Sequence, residues 1–246
     1  MKEAIEKHWS ADAGSYNKSI QKMLHSEETK RPWKSIFTQV LGTDNLHLLD
    51  VGTGPGTVAF MLAELGYRVT GVDFSEKMLS NAIRNNEILG LDVNFKKGDA
   101  ENLPFADEAF DAVVSRYVLW TVTDPRKAIM EWKRVLKPGG KVIIIDGNWN
   151  GNKTTLKKQI WHELSLLMTL ITERRNPYTH EYGPELKKGL WCIGTKRPDA
   201  DKIFLEEEGF VDIYIIKEVD TRRQTFLEYL KNGYLDKSFL ISGTKA

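Results

Sequence analysis

Between Leu46 and Asp146 the chain alternates short apolar runs with helical patterns, and this alternation leaves few folds open. Leu46–Val51, Tyr67–Val72, Val93–Lys97, Phe110–Ser115 and Lys141–Asp146 read as buried strands, each short, apolar and bounded by Gly, Asp or Lys. The gaps between them read as helices. Thr57–Leu65 ends at Gly66, a residue suited to a left-handed cap. Ser75 can cap a helix that carries Met78, Leu79, Ala82 and Ile83. Asp124-Pro125 joins an N-cap acceptor to a proline at the first helical position, and Ile129, Trp132, Val135 and Leu136 share one face of the helix that follows. Lys137-Pro138-Gly139-Gly140 then stops it. Strands alternating with crossover helices predict an α/β fold built on a doubly wound, mostly parallel sheet.

The flanks differ in pattern and set the expected organisation. Residues 1–40 are amphipathic, with Trp9, Tyr16, Ile20, Met23, Leu24, Trp33, Ile36, Phe37 and Val40, and are expected to form an N-terminal helical lid. Residues 41–147 form the expected core. Residues 148–197 lack a strand signal, while Ile160, Leu164, Leu167, Met168 and Ile171 recur at helical spacing, so this stretch is expected to be a helical cap. Residues 198–246 are expected to complete the sheet, with a helix over Pro198–Glu208, a strand over Val211–Ile216, a helix near Phe226–Leu230 and a last strand over Ser238–Ser242.

Charge and cysteine content narrow the partners. With 35 basic against 34 acidic residues, there is no bulk attraction to nucleic acid or an anionic membrane. The single cysteine, Cys192, cannot form an intramolecular disulfide or a multi-cysteine metal site. Residues 1–14 are charged throughout, with no secretory apolar run, and Ile160–Ile171 is too short to span a bilayer. These features lead to the expectation of a cytoplasmic protein, monomeric or homodimeric, with no metal, nucleic acid or membrane partner.

The first strand runs into Asp50-Val51-Gly52-Thr53-Gly54-Pro55-Gly56. Glycines between a strand and a helix let the backbone turn tightly and approach a nucleoside. The dinucleotide fingerprint is G-x-G-x-x-G, because a pyrophosphate sits on the helix N-terminus. Here the spacing is G-x-G-x-G with Asp50 ahead of it, which suits a ligand with a cationic amino group and would repel a pyrophosphate. Asp73 ends the second strand, where a carboxylate can hold a ribose diol. Asp99, after the third strand, can accept from an adenine amino group while the backbone N–H of Ala100 meets a ring nitrogen. A lone aspartate at a strand end is more often a cap or a solvated group. Three at successive strand ends point to a ligand, since ligands bind outside the carboxyl ends of such strands.

Leu49–Gly56, Gly71-Val72-Asp73-Phe74-Ser75, Gly98-Asp99-Ala100 and Arg134–Gly140 together resemble the motifs of class I S-adenosylmethionine-dependent methyltransferases. More narrowly, they resemble the small-molecule branch with a type 11 methyltransferase domain, which includes quinone-biosynthesis enzymes. The resemblance implies a seven-stranded Rossmann-like sheet with an antiparallel last strand, S-adenosylmethionine as cofactor and a small-molecule acceptor. It implies that Asp50, Gly52, Thr53, Gly54 and Gly56 meet the methionine end, that Asp73 holds the ribose hydroxyls, that Asp99 and Ala100 meet the adenine, and that Phe74 and Met78 also touch the cofactor. Ser115, Arg116 and Tyr117 would line the methionine and substrate side, with Arg116 facing the methionine carboxylate or an anionic substrate. A nicotinamide-dependent oxidoreductase would share Asp73 but not the glycine spacing or Asp50. A non-catalytic S-adenosylmethionine-binding protein would share every motif.

Methyl transfer from a sulfonium is an in-line displacement, and a base is needed only if the acceptor must lose a proton. The candidate bases and positioning groups are His162, His180 and Tyr16, with Tyr16 also reaching the cofactor from the lid. Trp149, Tyr178 and Tyr182 join Tyr117 as expected acceptor contacts. Asn176-Pro177-Tyr178 resembles an amino-methylating DNA signature, but it lies far from the fourth strand and lacks the second proline.

Overall fold

The computed structural model describes residues 1–147, 156–173, 186, 188–219 and 238–246. Its centre is one seven-stranded sheet in the order β3-β2-β1-β4-β5-β7-β6. The strands are β1 (His47–Val51), β2 (Arg68–Asp73), β3 (Val93–Lys97), β4 (Phe110–Arg116), β5 (Leu136–Asp146), β6 (Phe210–Lys217) and β7 (Phe239–Lys245). The first five run parallel, while β7 pairs antiparallel with both β5 and β6. β1 leads outward to β2 and β3, and β4 leads to β5 on its other side, so the winding reverses between β1 and β4. In open α/β sheets that reversal opens a crevice at the strands' carboxyl ends.

Both faces of the central strands are buried, which is why they read as unbroken apolar runs. Leu48 and Val114 face one layer with Trp33, Phe37, Phe60 and Met61. Leu49 and Val113 face the other layer with Ile129, Trp132 and Leu205. The first layer is built by α1 (Lys2–Leu24), α2 (Glu27–Leu41) and α3 (Thr57–Glu64). α4 (Glu76–Leu89) crosses between β2 and β3, and α5 (Pro125–Val135) between β4 and β5. α6 (Leu156–Glu173) lies in the stretch expected to be a cap, and α7 (Asp199–Glu207) packs near α5 and β6.

The helix starts follow from their caps. Ser75 Oγ accepts the Met78 N–H at 3.3 Å, and Asp124 Oδ1 accepts the Lys127 N–H at 3.0 Å with Pro125 in the first turn. Gly66, at φ +91°, follows the end of α3.

Most strand ends shift by a residue or two and β7 runs three residues further, to Lys245; the largest difference is at β5. β5 begins at Leu136, not Lys141, because Leu136 pairs with Phe110 and Lys141 pairs with Ala112. The Lys137–Gly140 stretch is therefore a bulge inside the strand. It ends α5 as expected, but it also keeps the chain against β4, with Gly139 absorbing the bend at φ +76°.

Candidate active site

The crevice at the β1/β4 reversal is a cleft enclosing about 1110 Å³ of empty space, its open mouth included. Its floor is the glycine loop. Gly52, Gly54 and Gly56 all have positive φ, at +67°, +55° and +95°. At Gly52 a side chain is excluded twice, since a Cβ would also come within 2.2 Å of Val118 Cγ2.

Asp50 and Asp73 both line the cleft and both also build the loop. Asp50 Oδ2 accepts the Thr53 hydroxyl at 2.7 Å and the Ala59 N–H at 3.1 Å. Asp73 Oδ2 accepts the Gly54 N–H at 2.8 Å, and its Oδ1 accepts the Ser75 N–H at 2.9 Å. Both carboxylates therefore shape the loop as well as facing the cleft. Each still has acceptor capacity to spare, because an ionised carboxylate offers about four lone-pair sites. Burial raises the Asp50 carboxyl to about 7 against the hydrogen bonds from Thr53 and Ala59. Burial likewise raises Asp73 to about 6.

Asp99 lies at the far end of the cleft with Ala100 and Glu101. Its Oδ1 accepts the Glu101 N–H at 2.9 Å, and its Oδ2 takes Lys2 Nζ at 2.6 Å. Lys2 also pairs with Glu101 at 2.7 Å. Burial works against the charge on Lys2, but hydrogen bonds to Asp99 and Glu101 outweigh it and raise its pKa. Glu101, buried, accepts from both the N–H and the hydroxyl of Thr123 and so ties the β3 end to the start of α5.

α1 roofs the cleft with Lys2, Ile5, Glu6, Trp9 and Tyr16. It is held along α4 by Ser10 Oγ–Ser75 Oγ at 2.7 Å, and by Asn81 Nδ2 donating to the Ala13 carbonyl at 3.1 Å. Asn85 ties three elements: its Oδ1 accepts from Gln21 of α1, and its Nδ2 donates to the Pro55 carbonyl in the glycine loop at 3.0 Å. Neither Lys2 nor Asn85 was legible in the sequence, because a charged or amide residue on an amphipathic helix carries no spacing signal. Tyr16 lies in the roof with its ring edge-on to Trp9, 6.1 Å between centroids, and burial raises its pKa.

Of the residues singled out from sequence, Asp50, Gly52, Thr53, Gly54, Asp73, Phe74, Met78, Asp99, Ala100, Arg116, Tyr16 and Tyr117 line this one cleft. Gly56 does not line it but caps α3 behind it. Ser115 is not part of the lining: it is fully buried in β4, and its Oγ has no hydrogen-bond partner among the described residues. Alternation along the strand turns it away while Arg116 faces the cleft. Tyr117 sits at φ +60°, an uncommon backbone for a bulky residue. Its N–H donates to the Ile145 carbonyl at 2.8 Å, and its hydroxyl meets Ser238 Oγ at 2.9 Å. Trp149, Tyr178, His180, Tyr182 and the Phe226–Leu230 helix lie outside the described residues, as does the side chain of His162 in α6. Cys192 is buried beside Leu190, among Trp9, Trp120 and Trp191, as an apolar core residue would be.

Among the described residues, no group of His, Cys, Asp and Glu is arranged to hold a metal ion, and no helix is long and apolar enough to cross a membrane.

Residues 49–144 match the family described as "Methyltransferase domain". The chain is 37% identical over 203 residues to a demethylmenaquinone methyltransferase of Paenarthrobacter aurescens, a match covering 79% of this chain and 74% of that protein. A demethylmenaquinone methyltransferase of Renibacterium salmoninarum is 38% identical over 125 residues, which is 50% of this chain and 51% of that protein, so the matched stretch spans about half of that relative. A solved S-adenosylmethionine-dependent methyltransferase structure from Aquifex aeolicus shares the fold at a TM-score of 0.59 and 18% identity, across 94% of this chain and 98% of that one.

Proposed function

This chain belongs to the S-adenosylmethionine-dependent methyltransferase family, and from that premise we propose that it methylates a small-molecule acceptor of the quinone class in its reduced, nucleophilic form. One observation carries the reading. Three carboxylates from the carboxyl ends of β1, β2 and the β3 loop, Asp50, Asp73 and Asp99, line a single cleft floored by a G-x-G-x-G loop. The acceptor class rests on the names of the quinone-methylating relatives.

The residues fit the donor. Burial raises the pKa of Asp50 and Asp73, and a cationic amino-acid end brought beside them would favour their charged forms. Asp73 would take the ribose diol with the lone pairs that Gly54 and Ser75 leave free. Asp99 and the Ala100 N–H would take the adenine, with Lys2 ceding Asp99 and keeping Glu101. When bound, S-adenosylmethionine supplies an electrophilic methyl on a sulfonium leaving group. The protein's part is then alignment and exclusion of water. Holding two reactants in line is worth about 7–11 kcal/mol, and Ile5, Trp9 and Tyr16 roof the space where this happens.

Tyr16, its pKa raised by burial, keeps its proton at neutral pH and acts as a hydrogen-bond donor rather than a base. We assign any proton removal from the acceptor to His162 or His180, and its aromatic contacts to Tyr117, Trp149, Tyr178 and Tyr182.

The test has two stages. Calorimetry with S-adenosylhomocysteine and with NADH is expected to show binding of the first only; binding of NADH alone would end the reading. Transfer of a labelled methyl group is then expected to a reduced naphthoquinone, and not to simple amines. Labelled amine with no labelled quinol would overturn the acceptor class.

A pH dependence follows. Asp50 and Asp73 carry folded values of about 7 and about 6, above the ordinary carboxylate range, so the free site holds protons that a cationic donor must displace. Affinity for S-adenosylmethionine is therefore expected to rise as pH climbs through 6 and 7, by up to about tenfold per pH unit for each proton released, and to level off above about 8. Calorimetry from pH 5 to 8 checks this, and a flat profile would show that neither carboxylate faces the cation.

A further inference from the structure

α6 turns an apolar stripe to solvent. Ile160, Leu164 and Leu167 are each more than half exposed, and Ile171 is 74% exposed. Their spacing of four, three and four residues keeps them in one narrow row along the helix, which is the spacing of a helix-pairing seam. Ser165, on another side of the helix, is buried, so α6 lies on the protein with that side and leaves the row outward. Leu170, half exposed, widens the row on one flank. None of these residues lines the cleft of the methyl donor. A contiguous apolar row left in water marks contact with a partner, whereas single exposed apolar residues do not.

The row reads the same in both directions, Ile-Leu-Leu-Ile at intervals of four, three and four. Turned end for end about the midpoint between Leu164 and Leu167, it falls on itself. Ile160 then lies level with Ile171 of a second copy, and Leu164 with Leu167. An isologous two-fold interface needs this self-complementarity. Charge sets the direction of pairing. The sequence puts Lys157 and Lys158 in the first turn with no acid, and ends the helix on Glu173 with no basic residue in the last turn. Both ends therefore oppose the helix dipole. An antiparallel copy brings the acidic end of one helix beside the basic end of the other, with position 158 level with 173, and offsets both. A parallel copy would set the lysines against each other. A lipid surface is a poorer occupant, since the exposed Glu163 borders the row and would meet anionic headgroups.

We propose that α6 is the seam of a homodimer, packed antiparallel on α6 of a second copy through Ile160, Leu164, Leu167 and Ile171. One helix pair buries less than the about 1,200–2,000 Å² of a standard stable interface, so the dimer forms reversibly at micromolar protein. The seam does not share a residue with the donor site, and it stands or falls separately from the methyl-transfer reading.

Sedimentation velocity on the full chain, from about 1 to about 100 µM, is expected to show a monomer–dimer equilibrium. Leu164→Glu combined with Leu167→Glu is expected to weaken it about a hundredfold or more, with S-adenosylhomocysteine binding within about twofold of wild type. A wild type that stays monomeric throughout, or a dimer that the double variant leaves intact, overturns the proposal. Cross-linking reads the register and serves equally if the double variant fails to fold. In a Cys192→Ala background, Ile160→Cys mixed with Ile171→Cys is expected to give disulfide-linked dimers under mild oxidation. Ile160→Cys alone is expected to give none, because antiparallel pairing sets position 160 about 16 Å along the axis from its own copy. Efficient cross-linking of Ile160→Cys to itself would mean a parallel pair and overturn the geometry. Co-sedimentation of a non-dimerising chain with anionic phospholipid vesicles, abolished by the two glutamates, would assign the row to a lipid surface instead.

Discussion

Asp73→Ala is expected to weaken S-adenosylhomocysteine binding by about a hundredfold or more, with the fold intact. Hydrogen bonds to a charged acceptor are worth about 1.5–3 kcal/mol each, and two from a ribose diol sum to about 3–6 kcal/mol, or two to four powers of ten in affinity. The same carboxylate also accepts from Gly54 and Ser75, so its loss loosens the loop that floors the cleft. Asp73→Asn should be little better. Two backbone N–H groups point at Asp73, one at each oxygen, and an amide would turn a donor toward one of them. Stability should not fall in step with affinity, because either substitution removes an acid that burial already disfavours in its charged form. Calorimetry beside a thermal melt checks both halves. Affinity within about threefold of wild type would mean that the ribose does not sit at the end of β2.

The elements that a single strand or helix can encode were legible in advance, and those that depend on distant segments were not. β1, β2, β4 and β5 could be read because burial on both faces leaves no alternation to confuse them, whereas β3, at the sheet edge, is buried only at Val93. The caps at Ser75 and Asp124 could be read because a cap is local chemistry within one turn. Asp50, Asp73 and Asp99 stood out because the fold delivers consecutive strand ends to one place. Which of Ser115 and Arg116 lines the cleft could not be read, because it depends on the pleat's phase, and a shift of one residue reverses the side. Lys2 had no signal at all: its partners, Asp99 and Glu101, are 97 and more residues away. The start of β5 was missed because Pro-Gly-Gly normally ends an element, and only the pairing of Leu136 with Phe110 turns it into a bulge.

Arg197 was equally silent in the sequence, and its replacement carries the largest expected cost in stability. Its side chain is 1% exposed and lies between the rings of Trp191 and Phe239, at 5.0 and 5.4 Å. Nε donates to Asp201 Oδ2 at 2.9 Å, and Nη1 lies 2.9 Å from Asp146 Oδ2. Both aspartates are fully buried, and the two carboxylates raise the arginine's pKa against the burial that would lower it. Asp146 ends β5 and also accepts the Trp120 N–H at 3.1 Å, which fixes the turn leading to Thr121 and Val122 in the cleft wall. Arg197→Met would leave two carboxylates buried without a cation. Breaking a buried pair by removing one partner costs about 3–5 kcal/mol, and at about 2–4 °C per kcal/mol for a chain of this size the melting temperature should fall by about 6–20 °C. The deficit should depend on pH. Without the arginine, burial and mutual repulsion push both acids above their unfolded values, so the folded variant holds protons that the unfolded chain has released. Stability is then retained in acid and lost as pH rises, and the gap to wild type should widen from pH 5 to pH 8. Converting Asp146 and Asp201 to Asn in the Arg197→Met background removes the titrating groups and should close most of that gap. A deficit that is the same at pH 5 and pH 8, or that survives in the triple variant, would trace the loss to packing against Trp191 and Phe239 rather than to the stranded charges.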